Sequence, residues 1–280
     1  MKQVRPKKNL GQHFLTDLGI ARRIADTVDA CPHIPVLEVG PGMGVLTQFL
    51  TEKPRPLSVV EIDAESVEYL KERFSYRGER KEERGERKEE RLNIISGDFL
   101  RMDLRELFGG QPFVLTGNYP YDISSQIFFK MLDNRDLIPC CTGMIQREVA
   151  LRMASEPGTK AYGILSVLTQ AWYDVEYLFT VEPSVFNPPP KVQSAVIRMM
   201  RNSVEHLGCD EELFRRVVKT AFNQRRKMLR VSLRPLFGAD RPASADFFAR
   251  PVMTRRPEQL SVQQFVELTN MVAEQLIRCS

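Results

Sequence analysis

The chain has 280 residues, 40 Lys+Arg against 36 Asp+Glu and 42% hydrophobic residues, which suits one large domain or two modest ones and excludes a disordered polyampholyte over most of its length. It holds no run of about 18 apolar residues, and the basic start Met1–Leu10 is not followed by an apolar segment, so neither a membrane span nor a secretory signal is expected. Five cysteines without a C-x-x-C pair and only three histidines argue against a disulfide framework or a zinc site, and a reduced, cytoplasmic, metal-free protein is the expectation.

In chain order, Val36–Gly40 is an apolar run ending in glycines, Val45–Leu50 has helical spacing and Leu57–Ile62 is a second apolar run. Ala64–Arg73 reads as a helix with Asp63 placed to cap it. Leu92–Ser96 and Phe113–Gly117 read as strands, Ile123–Leu132 as a helix and Thr142–Gln146 as a strand. Strands alternating with helices predict βαβ units and a mostly parallel sheet covered on both faces. After the strand-like Ser194–Met200 the pattern changes: Glu211–Phe222, Arg225–Leu233 and Val262–Ile277 are helical in period, with no strand between them. The predicted organisation is therefore an α/β domain over 1–200 and a small all-helical domain over 201–280.

Charge is divided unequally between these parts. Residues 201–280 hold 14 basic and 9 acidic side chains, net +5, against net −1 for residues 1–200. Leu213 to Ala239 carries eight basic residues and no acid, a patch that points to a polyanion partner. Leu213, Phe214, Val217, Val218, Ala221 and Phe222 would form the inward face of its helix. Trp172 is expected to pack in a core.

A low-complexity segment interrupts the first domain: Arg77–Glu83 reads RGERKEE, and Arg84–Glu90 repeats it. Through Arg91 it has seven basic and six acidic residues and nothing apolar to bury, so it is expected to be a solvated insertion, as a loop or an exposed helix extension.

Val36-Leu-Glu-Val-Gly-Pro-Gly-Met-Gly44 is a strand entering a glycine turn ahead of a helix. Glycines allow close backbone approach to a ligand, and the helix start adds a positive dipole. The dinucleotide fingerprint wants its third glycine where Val45 stands, and this chain has it at Gly44. G-x-G-x-G suits a ligand without a pyrophosphate, such as S-adenosylmethionine. Glu61 ends the second strand, 21 residues after Gly40, where a carboxylate can take ribose hydroxyls. Asp98 follows the third, where an acceptor can meet an exocyclic adenine amine.

Asn118-Tyr-Pro-Tyr121 follows the fourth strand. Adenine N6 is a poor nucleophile because its lone pair is delocalised into the ring. An Asn oxygen and a neighbouring carbonyl can accept its hydrogens and let the nitrogen pyramidalise. Pro120 fixes φ and holds that carbonyl, and Tyr121 offers a face for a flipped base.

With these residues in place, the chain resembles the small-subunit ribosomal RNA adenine N6,N6-dimethyltransferases of the KsgA type. The resemblance covers nearly the whole chain. It runs through Lys8-Asn-Leu-Gly-Gln-His-Phe-Leu15, Glu38–Gly44, Asn118-Tyr-Pro-Tyr-Asp-Ile-Ser-Ser125, Phe186-Asn-Pro-Pro-Pro-Lys-Val-Gln-Ser194 and Ala221-Phe-Asn-Gln-Arg-Arg-Lys227. It implies a Rossmann-like methyltransferase domain and a helical RNA-binding domain. The implied reaction is dimethylation of two adjacent adenosines in the 3′-terminal hairpin of small-subunit RNA, linked to ribosome biogenesis. S-Adenosylmethionine is the implied methyl donor, no metal takes part, and a monomer acting on the small subunit or its precursor is expected.

Residue by residue, the resemblance implies that His13 and Leu15 contact the cofactor, Gly40 its methionine part, Glu61 its ribose and Asp98 its adenine amine. Asn118 would lie near the transferring methyl and orient the target N6, with Tyr121 and Phe186 sandwiching the base. Arg225, Arg226, Lys227 and Arg230 would contact phosphates. The family commonly has Leu where this chain has Tyr119, which is tolerable if only its carbonyl acts. Arg77–Arg91 is outside the family pattern. The sister group that methylates large-subunit RNA is the nearest rival. A non-catalytic assembly or transcription factor is a second rival, and a dinucleotide oxidoreductase the most distant.

Overall fold

The short strand β1 (Phe14–Leu15) precedes helix α1 (Leu18–Asp26). The Asp17 side chain accepts the Ile20 N–H at 2.9 Å and so starts α1, which buries Ala21, Ile24 and Ala25. There follow β2 (Val36–Val39), α2 (Thr47–Leu50), β3 (Leu57–Glu61), α3 (Ala64–Glu82) and β4 (Leu92–Ser96). Next come α4 (Leu104–Leu107), β5 (Val114–Thr116), α5 (Ser124–Asp133), β6 (Cys140–Gln146), α6 (Arg147–Met153), α7 (Ile164–Gln170), β7 (Tyr173–Val181), β8 (Phe186–Asn187) and β9 (Ser194–Arg201). The computed structural model describes residues 6–7, 12–82, 92–238 and 243–279. The second copy of the charged repeat and the Lys8–Gly11 part of the first motif lie outside the described residues. The backbone of most of the first copy extends α3 to Glu82, well beyond the predicted Arg73.

One sheet has the strand order β4-β3-β2-β5-β6-β9-β7. β2 runs parallel to β3 on one side and to β5 on the other, β3 to β4 and β5 to β6. β9 is antiparallel to β6, from Cys140↔Met200 to Gln146↔Ser194. All four residues of β2 are buried, which explains its near-continuous apolar reading. Because successive strands are laid down to opposite sides of β2, the connections at its carboxyl end diverge and leave a crevice there. A separate two-stranded ribbon pairs β1 with β8, Phe14↔Asn187 and Leu15↔Phe186. It closes a core that includes Ile24, Leu46, Val59, Met144 and Val196.

The chain divides into two compact units: Met1–Ala150 with Val175–Arg201, and Leu151–Asp174 with Asn202–Ser280. The second unit is thus not contiguous, unlike the expected 201–280. Leu151–Asp174 belongs to it because its aromatic side chains enter that core. Trp172, fully buried, meets Phe214 edge-on at 6.0 Å, and Tyr162 lies 6.4 Å from Phe222.

The remaining helices are α8 (Glu211–Asn223), α9 (Leu229–Ser232), α10 (Ala245–Ala249) and α11 (Val262–Cys279). Asp210 caps α8 by accepting the Leu213 N–H at 2.6 Å, and Leu213, Phe214, Val217, Val218, Ala221 and Phe222 form its buried stripe. The predicted helix over Arg225–Leu233 is shorter: α9 begins at Leu229, whose N–H donates to the Arg255 carbonyl at 2.9 Å. Among the described residues no helix is long and apolar enough to cross a membrane.

Candidate active site

A cavity of about 280 Å³ opens at the carboxyl ends of β2, β3, β4 and β5. Its floor is the glycine turn after β2. The Gly40 N–H donates to the Val60 carbonyl at 2.9 Å, and Gly42 N–H to Glu61 Oε2 at 3.0 Å. Gly42 has φ +53°, and a β-carbon there would stand 2.9 Å from the Phe14 ring. The ring of β1 therefore seats on a glycine surface that any other residue would fill. Gly44, at φ +71°, would place a β-carbon 2.8 Å from Phe74 and 2.9 Å from Leu70. The glycine that departs from the dinucleotide pattern thus lets α3 pack against the turn.

Glu61 is 4% exposed. Its Oε2 takes the Gly42 N–H and its Oε1 the Asp63 N–H, each at 3.0 Å. Burial pushes its pKa up, opposed by those same N–H donors. The carboxylate is fixed in orientation while keeping lone pairs for further donors. Asp98 lies at the mouth after β4. Its Oδ1 accepts the Leu100 N–H at 2.9 Å and starts the short turn Phe99–Arg101. Its Oδ2 is 3.4 Å from the exposed Arg101 guanidinium. Glu38, inside β2, is 1% exposed and accepts the Thr47 hydroxyl at 2.7 Å. Burial raises its pKa to about 8, so it is mostly protonated at neutral pH.

Asn118 continues β5 by one parallel bridge to Met144. Its Nδ2 donates to the His13 carbonyl at 3.1 Å, which leaves Oδ1 as the acceptor of that amide. Tyr119 reaches the cavity wall but is almost wholly buried. Its ring is 1% exposed, and its hydroxyl donates to the Thr142 carbonyl at 2.8 Å. Tyr119 thus anchors the tetrad to β6, against Gly143, where a β-carbon would stand 2.8 Å from the ring. Pro120 lies over Gly40, 3.6 Å from where a β-carbon there would stand. Tyr121 stacks on His13 with ring centroids 5.7 Å apart, and its hydroxyl bonds to that of Ser194. His13 Nδ1 donates to the Pro188 carbonyl at 2.8 Å.

The fold brings His13, Leu15, Gly40, Glu61, Asp98, Asn118 and Tyr121 to the wall of this one cavity. Phe186 is not on that wall. It sits opposite Leu15 in the β1–β8 ribbon, 4% exposed in the core. Arg226, Lys227 and Arg230 of the second unit are exposed. Arg225 is held within that unit: its Nε donates to Glu258 at 2.9 Å, and its Nη2 to the carbonyls of Thr159 (3.3 Å) and Lys160 (2.5 Å). Glu38, Asp122 and Tyr119 also line the cavity. None was marked from the sequence as a site residue, since Glu38 reads as one polar position in an apolar strand and Asp122 as a turn residue.

Three carboxylates, Glu61, Asp98 and Asp122, and the largely protonated Glu38 thus line the cavity, and no lysine or arginine does among the described residues. Such a wall repels phosphate and accepts hydroxyl, amine and cationic groups. Asn118 and Tyr121 at the same mouth add an amide acceptor and an aromatic face.

The model of a protein family described as ribosomal RNA adenine dimethylase matches residues 3–274 of the chain. A ribosomal RNA small subunit methyltransferase A of Phocaeicola vulgatus is 63% identical over 272 residues, covering 97% of this chain and 91% of that one. Its namesake of Bacteroides fragilis is 62% identical over 276 residues, covering 99% and 95%. Among solved structures, a dimethyladenosine transferase of Plasmodium falciparum superposes with a TM-score of 0.75 at 23% identity over 94% of this chain and 98% of that one. The 23S rRNA methyltransferase ErmE superposes with 0.65 at 26% identity over 92% and 99%. The chain belongs to the ribosomal RNA adenine dimethylase family and is a methyltransferase of that class.

Proposed function

We propose that the protein transfers methyl groups from S-adenosylmethionine to N6 of two adjacent adenosines in the 3′-terminal hairpin of small-subunit ribosomal RNA. The observation that carries the cofactor reading is the cavity wall, with three carboxylates and the protonated Glu38, its glycine floor and, among the described residues, no lysine or arginine. A sulfonium and an ammonium suit that wall, whereas a dinucleotide's pyrophosphate does not.

Glu61 would hold the ribose hydroxyls through the lone pairs its two backbone donors leave over. Asp98 would accept the adenine amine. Gly40, His13 and Leu15 would enclose the methionine end. When bound, this cofactor supplies an electrophilic methyl group carried on sulfur. Asn118 does its work on the target base: with Nδ2 held by the His13 carbonyl, Oδ1 accepts an N6 hydrogen and draws the lone pair out of conjugation. Pro120 keeps the adjoining backbone fixed, and Tyr121 supports the face of the base. Phe186 backs this surface through the β1–β8 ribbon. Rate enhancement then rests on orientation and preorganised hydrogen bonds.

Arg226, Lys227 and Arg230 would bind phosphates of the RNA, making the second unit an RNA-holding domain. A monomer acting on the small subunit or its precursor is the proposed form. The test supplies methyl-labelled S-adenosylmethionine with under-methylated small subunits, or with large subunits, from the same cells. Label in small-subunit RNA is the expected result. Label in large-subunit RNA alone overturns the substrate assignment.

A further inference from the structure

Lys130 lies on α5, outside every motif that marks the site. Its ammonium donates to two carbonyl oxygens of the turn after β4, those of Leu100 at 3.0 Å and Met102 at 2.5 Å. The same turn begins at Asp98, whose Oδ1 accepts the Leu100 N–H at 2.9 Å. A carboxylate therefore caps the start of Phe99–Arg101 and an ammonium its end. The turn's own bonds are Arg101 N–H to the Asp98 carbonyl (3.0 Å) and a longer one from Met102 to Phe99 (3.3 Å). A turn this short has little cooperative stability of its own. The other partner of Asp98, Arg101, is 88% exposed and 3.4 Å away, and a surface contact of that length fixes little.

Gly97, Asp98, Phe99 and Leu100 all belong to the cavity wall. The Lys130 ammonium also lies 5.6 Å from the Phe99 ring centroid, an attractive placement for a cation. Lys130 thus ties this wall to α5, the helix that follows the Asn118–Tyr121 tetrad.

From this geometry we infer that Lys130 is a positioning residue that holds Asp98 against the purine of the cofactor. It thereby sets the pocket's preference for an amino-bearing over an oxo-bearing purine. The inference rests on the proposed role of Asp98 as acceptor of the adenine amine. A site that pairs a buried donor rejects the analogue lacking it only while the acceptor stays in place. Loosening the turn therefore erodes selectivity more than it erodes binding of the ribose and methionine parts, which Glu61 and the glycine floor would hold.

The test uses the full chain with S-adenosylhomocysteine and its inosine counterpart, S-inosylhomocysteine, titrated by calorimetry. Lys130→Met keeps the stem and removes the donors, Lys130→Arg keeps two donors, and Lys130→Gln replaces the methionine variant if that one does not fold. The wild type is expected to prefer the adenosine compound by about 100-fold or more. Lys130→Met should lose about tenfold of that preference, through weaker binding of the adenosine compound while the inosine compound binds as before, and Lys130→Arg should restore it. An undiminished preference in Lys130→Met overturns the inference. So does an equal loss for both compounds, which marks a merely structural role. Failure of the wild type to bind either compound overturns the cofactor reading itself.

Discussion

In the α/β unit, Glu38 and Glu61 are 1% and 4% exposed, and each of their contacts is a directed hydrogen bond to a hydroxyl or an N–H. In the helical unit, Arg226, Lys227 and Arg230 stand in solvent. Shielded groups act through orientation in a low dielectric, where one displaced atom is costly and salt matters little. Exposed groups act through number, each weakly and each sensitive to salt. Arg225, 35% exposed, stands between the two kinds, engaged by directed hydrogen bonds where its neighbours Arg226 and Lys227 are exposed. Its bonds to Glu258, Thr159 and Lys160 make it part of the fold of its unit.

The largest expected effect is on the oriented side. Asn118→Ala should lower the single-turnover rate of methyl transfer by about 100-fold or more while RNA affinity stays near that of the wild type. Wild-type turnover by this variant would show that N6 is oriented by other groups.

Glu38→Gln probes the cost of hiding a carboxylate. Its pKa of about 8 means that the folded state keeps a proton which the unfolded chain releases near the ordinary carboxylate value. Wild-type stability therefore falls as pH rises from about 4.5 to about 8 and levels off above that. Glutamine carries no such proton, so the variant's advantage over the wild type should grow by roughly 2–4 kcal/mol between pH 5 and pH 8 and then stay constant. Glu61, shifted in the same direction, is present in both proteins, and its repulsion of an ionised Glu38 is part of what the substitution removes. Denaturant unfolding at several pH values reads this out. A difference independent of pH would mean that Glu38 is ionised in the folded protein.

The exposed and the engaged arginines should separate cleanly. Replacing Arg226, Lys227 and Arg230 with Ala should make the dependence of log K on log salt for RNA shallower by up to about 0.7–0.9 per residue, at unchanged melting temperature. Arg225→Ala should instead destabilise the protein by about 1–2 kcal/mol, because Glu258 and two carbonyls lose their donor. A salt slope that moves with Arg225 and not with the other three would reverse the distinction.

The smallest effect is expected from deleting Arg84–Glu90, a segment without any apolar side chain. Shortening such a connection changes closure free energy by less than about 1 kcal/mol. Melting temperature and methylation of intact small subunits should both match the wild type. Lower methylation at equal melting temperature would make the repeat a ribosome contact.

Much of the site was legible because strand ends advertise themselves. Apolar runs stop at Gly40, Glu61, Asp98 and Asn118, and a parallel sheet delivers consecutive strand ends to one edge. Contacts between distant segments were not legible. Nothing near Arg225 announces Glu258, 33 positions away. Nothing near Phe186 announces that Leu15 will pair with it and draw its ring into the core. Lys130 looks like a lone charge on an apolar helix until the turn after β4 is placed beside it. The departure at Tyr119 shows both sides. Its oddity was plain in the sequence, while the place of its ring depends on a hydroxyl bond to the Thr142 carbonyl, which no local pattern encodes.

A nucleoside-resolution map of small-subunit RNA after reaction with the wild type and with Asn118→Ala bears most directly on the proposed chemistry. Under-methylated subunits are incubated with methyl-labelled S-adenosylmethionine, and the 3′-terminal fragment is digested and weighed by mass spectrometry. The prediction is two adjacent N6,N6-dimethyladenosines in the wild-type reaction and almost none with Asn118→Ala at the same incubation time. Methyl groups at a different atom or base, or equal modification by the two proteins, would contradict it.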